Sequence, residues 1–299
     1  MKQFLKSAQI FSGKHPLYAI IFLLCAFILL VLPNNRDYKE SLYKLCKTNQ
    51  NLWIAVIRNE YISLHIEKNS VWEPHVTNYL VKNVKPSETV IEIGANIGYY
   101  TTLLSKLVGS KGKVYSYEAN KKVYDLACLS LKMNDLYNIV TIKNIVISDR
   151  KGTVDFVSYE PSLDADIVNI GGSHILTDYG IYDLLYDKTI KTIKTTSLDE
   201  DLPNLKSVDW LRMDIEGSEI LALKGARRII NSSPNLKIVM EWFPNIMKKY
   251  GDVQKLIKDL RGYGFKFYKI SDCDADLKRD LSDDYLLNIV GLEDLVLIR

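Results

Sequence analysis

From Thr89 onward, short apolar runs alternate with segments whose apolar residues recur at helical spacing. The runs Thr89 to Ile93, Lys113 to Tyr117 and Val140 to Ile147 read as strands, and Tyr99 to Val108 and Lys121 to Asn134 read as the helices between them. The rhythm resumes with a strand at Val208 to Met213, a helix at Ser218 to Ile230 and a strand at Lys237 to Trp242. A helix near Val253 to Tyr263, a strand at Lys266 to Ile270 and a last strand at Asp294 to Ile298 complete it. Such alternation predicts an α/β fold: a mostly parallel twisted sheet with helices on both faces. Upstream, Leu52 to Glu67 alternates apolar and polar residues, which predicts two short strands, and Asn69 to Asn83 reads as a helix. Glu160 to Asp187 is a long Asp- and Gly-containing insertion, the kind of segment that carries function at a sheet edge.

One stretch stands outside this pattern. Leu17 to Leu32 holds no charged residue and is bracketed by Pro16 and Pro33. At about 1.5 Å per residue it falls a little short of a hydrocarbon core of roughly 30 Å, a gap that interfacial residues or local thinning can close. It predicts a single transmembrane anchor at residues 17–32, with a short segment 1–16 before it, a juxtamembrane linker 33–50 after it and a catalytic domain over 51–299. A cleaved signal peptide is disfavoured because Pro33, Asn34, Asn35 and Arg36 make no cleavage site. Lysines 2, 6 and 14 precede the run and Arg36, Lys39, Lys44 and Lys47 follow it, so charge does not orient it. The net charge of +3 on 299 residues implies no nucleic-acid partner. Cys25, Cys46, Cys128 and Cys273 form no CxxC pair and read as free thiols, with no metal site.

The strand at Thr89 runs into Gly94-Ala95-Asn96-Ile97-Gly98, and a helix beginning near Tyr99 follows. This is the Rossmann-like crevice arrangement, in which glycines let the backbone turn tightly and a ligand approach the strand end. Glu92 near that strand end can orient a cationic amino group, directly or through water. Glu118, twenty residues beyond Gly98 at the end of the next strand, can accept both hydroxyl protons of a ribose. A nicotinamide dinucleotide and S-adenosylmethionine both satisfy these features. A dinucleotide, however, needs a third glycine and a seat for its pyrophosphate, which Glu92 repels, whereas a sulfonium amino acid tolerates acid.

With these residues in hand, the chain resembles the FkbM-type methyltransferases, a branch of the class I S-adenosylmethionine-dependent fold that methylates hydroxyls, often on sugars or polyketides. The matching segments are VIEIGANIGYYT (Val90 to Thr101), VYSYEAN (Val114 to Asn120), IVISDRKGTVDF (Ile145 to Phe156), NIGGSH (Asn169 to His174), TTSLDE (Thr195 to Glu200), VDWLRMDIEGSEILALKGA (Val208 to Ala226) and IVMEW (Ile238 to Trp242). Glu92 departs from the family's more frequent aspartate. The resemblance implies a cofactor site of Glu92, Gly94, Ala95, Asn96, Gly98, Tyr99, Tyr100, Glu118, Ala119, Asn120 and Asp214. It implies a small-molecule or glycan acceptor, met by Asn169, Gly172, Ser173 and Glu241. Because S-adenosylmethionine is made and kept chiefly in the cytosol, the catalytic domain is expected on the cytoplasmic side of a membrane.

Methyl transfer to a hydroxyl needs alignment and a base. Asp214 and Glu216 at the end of the strand Val208 to Met213 are the best-placed acids, and His174 ranks behind them. Each has a plain alternative: Asp214 holding the methionine moiety, Glu216 and Glu219 favouring a helix N-terminus, His174 on a surface loop. Trp242 and Phe243 are candidates to stack on a sugar, with core packing as the alternative. Two rival functions are an inert membrane-tethered binding module and a nicotinamide-dependent reductase, the latter opposed by Glu92 and the missing third glycine.

Overall fold

The computed structural model describes residues 42–159, 167–177, 188–270 and 279–299. The expected anchor at residues 17–32 and most of the insertion at 160–187 lie outside the described residues. Among the described residues no helix is long and apolar enough to cross a membrane.

Residues from Leu42 to Arg299 form one compact unit. Its centre is a seven-stranded sheet in the order β12-β13-β11-β10-β3-β4-β5. Here β3 is Thr89–Ile93, β4 Lys113–Tyr117, β5 Val140–Lys143, β10 Trp210–Met213, β11 Lys237–Trp242, β12 Lys266–Lys269 and β13 Glu293–Ile298. Strands β11, β10, β3, β4 and β5 are mutually parallel. Strand β13 runs antiparallel between β11 and β12. Consecutive residues bury on opposite faces, as the two-residue period demands: Val90 and Val239 join one apolar cluster, and Ile91, Ile238 and Met240 the other.

The register decides where the chemistry sits. Ile93 pairs with Tyr117 on one side and with Met213 on the other, and Met213 pairs with Met240. The next residues, Gly94, Glu118, Asp214 and Glu241, therefore emerge together at the carboxyl edge. Chain order reverses between β3 and β10, which is where such sheets open a ligand crevice.

Helices α3 (Tyr99–Val108) and α4 (Lys121–Met133) cross over from β3 and β4 as expected. The expected helix at Ser218 to Ile230 is instead two, α6 (Glu219–Lys224) and α7 (Arg227–Ser232), after the short α5 (Leu198–Asp201). At the break, a Cβ on Gly225 would lie 2.2 Å from the Ser148 carbonyl, so the chain turns where another segment passes. The expected strand at Val140 to Ile147 divides in the same way. Its second half, β6 (Val146–Ile147), joins β7 (Gly152–Tyr159), β8 (His174–Ile175) and β9 (Lys188–Thr196) in a four-stranded sheet ordered β6-β9-β7-β8.

The N-terminal part differs most from the pattern. Strand β1 (Tyr43–Lys47) lies within the span expected as a linker and pairs antiparallel with β2 (Trp53–Ile57). The second expected strand is helix α1 (Tyr61–Asn69), because the Glu60 carboxylate accepts from the Ile62 and Ser63 N–H groups and caps it. Helix α2 (Pro74–Asn83) starts later than expected, at a proline that suits a first helical turn. The outer edge of β2 is satisfied by α4, where Ser130 Oγ accepts from Ala55 N–H at 2.9 Å.

Candidate active site

At the edge of β3 and β4, Gly94 and Ala95 both donate to the Tyr117 carbonyl, at 2.9 and 3.0 Å. The turn then places Asn96 in the left-handed region at φ 50°. That conformation aims the Asn96 N–H at Glu118 Oε2 (2.7 Å), while Asn120 N–H donates to Oε1 (2.7 Å). Both carboxylate oxygens are thus fixed by backbone. Burial nevertheless pushes Glu118 up to about 7, against those two donors. The two glycines serve packing. A Cβ on Gly94, which has φ +86°, would lie 1.9 Å from the Asp214 carbonyl, and one on Gly98, at φ +83°, would lie 2.8 Å from Ala127 Cα in α4.

The second group of acids surrounds a buried cation. Arg212, opposite Glu92 in the register, donates to Asp214 Oδ2 at 2.9 Å and stands 3.7 Å from Glu92 and 3.9 Å from Glu73. Its guanidinium lies 4.0 Å over the Tyr100 ring. Burial opposes its charge, but Asp214, Glu92 and Glu73 outweigh burial and hold it protonated. Glu92 accepts from Ser116 Oγ at 3.0 Å and from Thr101 Oγ1 at 2.5 Å.

Beyond Arg212, Glu216 and Glu241 lack such support. Oxygens of Glu73, Asp214 and Glu241 come within 4.8 Å of one another. Glu73 is pushed up to about 8 by burial and then by Asp214, although Tyr100 Oη donates to it at 2.9 Å. Glu216, in the left-handed region at φ 55°, is pushed up to about 8 by burial, Asp214 and Glu219. Glu241 is raised well above the ordinary carboxylate range by burial and by its acidic neighbours Asp214, Glu216, Glu73 and Asp294.

Part of the insertion closes the other side. Val168 N–H donates to the Asn59 carbonyl and Tyr61 N–H to the Val168 carbonyl, both at 2.9 Å, so the insertion hangs on the start of α1. His174 Nδ1 lies 2.9 Å from the Gly172 carbonyl. A carbonyl only accepts, so Nδ1 carries the proton, and the buried Nε2 has no partner among the described residues. Asn169 Oδ1 is likewise buried and unmatched among the described residues.

These pieces enclose a cavity of about 310 Å³. Among the expected residues, Gly94, Asn96, Glu118, Ala119, Asn169, Ser173, His174, Asp214, Glu216 and Glu241 line it together. The others stand behind it. Glu92 is wholly buried and holds Arg212 rather than a ligand; Tyr99 and Tyr100 turn into the helix packing, and Ala95, Gly98, Asn120 and Gly172 shape the wall without facing the cavity. Trp242, expected as a possible stacking surface, is fully buried, with its Nε1–H on the Leu286 carbonyl at 2.9 Å. Phe243 does not face the cavity either.

Sequence reading missed Arg212, Glu73, Tyr61 and Trp72. Arg212 had a visible signal, a lone cation inside the apolar run WLRM. The other three precede the motifs and meet the cavity only through tertiary packing.

The cavity fits S-adenosylmethionine. It presents a backbone-held carboxylate suited to a ribose, apolar walls at Val123, Ile145 and Phe156 suited to a base, and acids that welcome a sulfonium and an ammonium. A mostly parallel sheet with its acids at the switch point defines a nucleotide-crevice enzyme, and the comparisons give its class. The model of the methyltransferase FkbM domain matches residues 92–267. The chain therefore belongs to the FkbM methyltransferase family and is an S-adenosylmethionine-dependent methyltransferase. It is 36% identical over 75 residues to the tRNA (adenine(58)-N(1))-methyltransferase catalytic subunit of Yarrowia lipolytica, a match covering 24% of this chain and 19% of that protein. It is 35% identical over 71 residues to the protein-L-isoaspartate O-methyltransferase of Thermosipho melanesiensis, covering 23% and 36%. The matches thus span about a fifth and about a third of these relatives. Among solved structures, the O-methyltransferase of Bacillus cereus in complex with S-adenosylhomocysteine (SAH) is 13% identical, covering 76% of this chain and 81% of that one with a TM-score of 0.43. The S-adenosylmethionine-dependent O-methyltransferase of Thermotoga maritima is 13% identical, covering 89% and 96% with a TM-score of 0.42.

Proposed function

We propose that this chain transfers the methyl group to a hydroxyl of a sugar, glycan or lipid-linked saccharide, from a membrane-anchored domain facing the cytoplasm. The observation that carries the reading is the Glu216 carboxyl. It faces the cavity from a left-handed turn, and no donor among the groups acting on it relieves its raised affinity for a proton. A hydroxyl becomes a competent nucleophile only as its proton leaves, and a carboxylate pushed up to about 8 accepts that proton readily. S-Adenosylmethionine supplies an electrophilic methyl group on a sulfonium. Glu118 is assigned to the ribose, Asp214 to positioning of the methionine end, and Glu216 to the acceptor proton. The acids lining the cavity oppose a pyrophosphate and so disfavour a nicotinamide dinucleotide.

The test is transfer of labelled methyl groups from S-adenosylmethionine into a fractionated extract of the source cells, followed by linkage analysis. Label in an ether that survives mild base is expected. Label released by mild base as methanol, or recovered on nitrogen, would remove the hydroxyl assignment.

A further inference from the structure

Three aromatic rings stand together upstream of the matched family domain. Tyr61 and His65 lie one turn apart on α1, with ring centroids 4.8 Å apart. Trp72, in the link between α1 and α2, sits 5.4 Å from His65 and 6.0 Å from Tyr61, edge-on to both. The family match begins at residue 92, so none of the three belongs to it. Yet Tyr61 and Trp72 line the same cavity as Glu118 and Asp214. Tyr61 is 44% exposed, so its ring is open to a ligand at the cavity mouth.

The position of Trp72 is built in. Thr77 Oγ1 donates to the Trp72 carbonyl at 2.6 Å. The following residue, Glu73, enters the acid cluster with Asp214 and Glu241. One link of chain thus sets an aromatic surface directly beside the acids. A ring seated in the angle between the edge-on Tyr61 and Trp72 lies beside those acids, and the insertion residues that follow Val168, which accepts from Tyr61 N–H, line the same cavity.

Resting on the hydroxyl reading above, we infer that Tyr61 and Trp72 form the acceptor subsite and that it selects an uncharged ring with hydroxyl substituents. The C–H face of a pyranose buries against aromatic carbon, as rigid aromatic side chains permit at little cost in conformational freedom. The charge beside the platform sets the second half of the selection. Besides Glu118, four acids, Glu73, Asp214, Glu216 and Glu241, line the cavity. With the cofactor's ammonium favouring their ionised forms, these acids would repel a phosphorylated or carboxylated acceptor, and a nucleic-acid backbone likewise. The specificity element lies outside the family domain while the cofactor machinery lies inside it.

The experiment uses the full-length chain saturated with SAH. It is titrated with the methyl pyranosides of glucose, galactose and mannose and with glucose 6-phosphate, read by saturation-transfer NMR. At least one neutral glycoside should bind with millimolar affinity, with saturation strongest on ring C–H protons. Trp72→Ala and Tyr61→Ala should each weaken it by about tenfold, while Trp72→Phe, which keeps a ring, should stay within about threefold. SAH affinity, measured in parallel, should remain within about twofold of the unaltered chain. Glucose 6-phosphate should bind about tenfold more weakly than the neutral sugar. No binding by any neutral glycoside, equal binding by Trp72→Ala, or tighter binding of the phosphate would each overturn the inference. Ether-linked methyl transfer into cell extract at an unaltered rate in Trp72→Ala would overturn it and leave hydroxyl methylation standing. Label recovered on nitrogen while glycoside stacking persists would remove hydroxyl methylation and leave the platform standing.

Discussion

The two ends of the cavity are built from the same residue type on opposite terms. At the ribose end, Glu118 has each oxygen held by a backbone N–H at 2.7 Å. At the end assigned to the acceptor, Glu216 answers to burial and to the charges of Asp214 and Glu219, and Glu241 to burial and to Asp214, Glu216, Glu73 and Asp294. A carboxylate clamped by backbone keeps one geometry, which suits the proposed role of meeting a ribose that always presents the same two hydroxyls. A carboxyl held only by repulsion is poised to bind a proton or to welcome a cation. Arg212 divides the two: it compensates Glu92, Asp214 and, at longer range, Glu73, and no cation acts in the same way on Glu216 and Glu241.

The largest effect expected is on that division. Arg212→Met strands the buried Glu92, and the half-buried Asp214 beside it, without their counter-charge and should lower stability by about 3–5 kcal/mol in chemical denaturation. A loss under about 1 kcal/mol would mean that the acids are neutral in the native protein. Next comes Gly94→Ala, whose new Cβ meets the Asp214 carbonyl. Left-handed strain of about 1–2 kcal/mol and overpacking of about 1–3 kcal/mol should fall on β3 and β10 together. SAH binding should disappear with the stability, since this glycine joins the strands that carry both ends of the site. Replacement of Glu118 by alanine is milder, because it removes ribose contacts and leaves the sheet intact. Calorimetric titration should show SAH affinity reduced by about 1–3 kcal/mol, with a smaller loss of stability than for Gly94→Ala as the Asn96 and Asn120 N–H groups lose their acceptor.

A smaller effect follows from the raised carboxyls. Glu118 and Glu219 titrate at about 7 and Glu73 and Glu216 at about 8 when folded, each raised from 4.5. Between those limits the folded chain binds more protons than the unfolded one. Stability is therefore greatest below about pH 4.5 for this set and is lost as pH rises through 7 to 8. Melting temperature should fall by about 3 °C or more from pH 5.5 to 8.5, and SAH, whose ammonium meets these acids, should narrow the difference. Chelation should have the least effect. With Arg212 already 2.9 Å from Asp214, EDTA should leave methyl transfer unchanged, and activity restored by magnesium after chelation would instead give Glu73, Asp214 and Glu241 to a metal.

The ribose end was legible in the sequence because its parts are local: a strand, a glycine turn and an acid at a fixed spacing. Helix α3 was read to the residue, since its apolar face repeats without a break. The acceptor end was legible only in part. Asp214 and Glu216 follow a strand and were found; Glu73 arrives from a link whose position depends on Thr77 and Pro74, with no periodic signal. Alternation misread α1 because a capping glutamate at Glu60 overrode the two-residue pattern. For Trp242 the sequence left sugar stacking and core packing both open, and the core absorbs it.

The account rests on Glu216 acting on the acceptor while Glu118 holds the cofactor. The direct test is the pH dependence of methyl transfer into the accepting extract fraction, for the unaltered chain and for Glu216→Gln. The rate should rise with pH to a plateau through an apparent pKa at or below about 8, because the sulfonium favours the carboxylate. Glu216→Gln should lose about 10²-fold in rate together with that rise, while SAH affinity stays within about twofold. A Glu216→Gln protein with full turnover and the same pH profile would contradict the account.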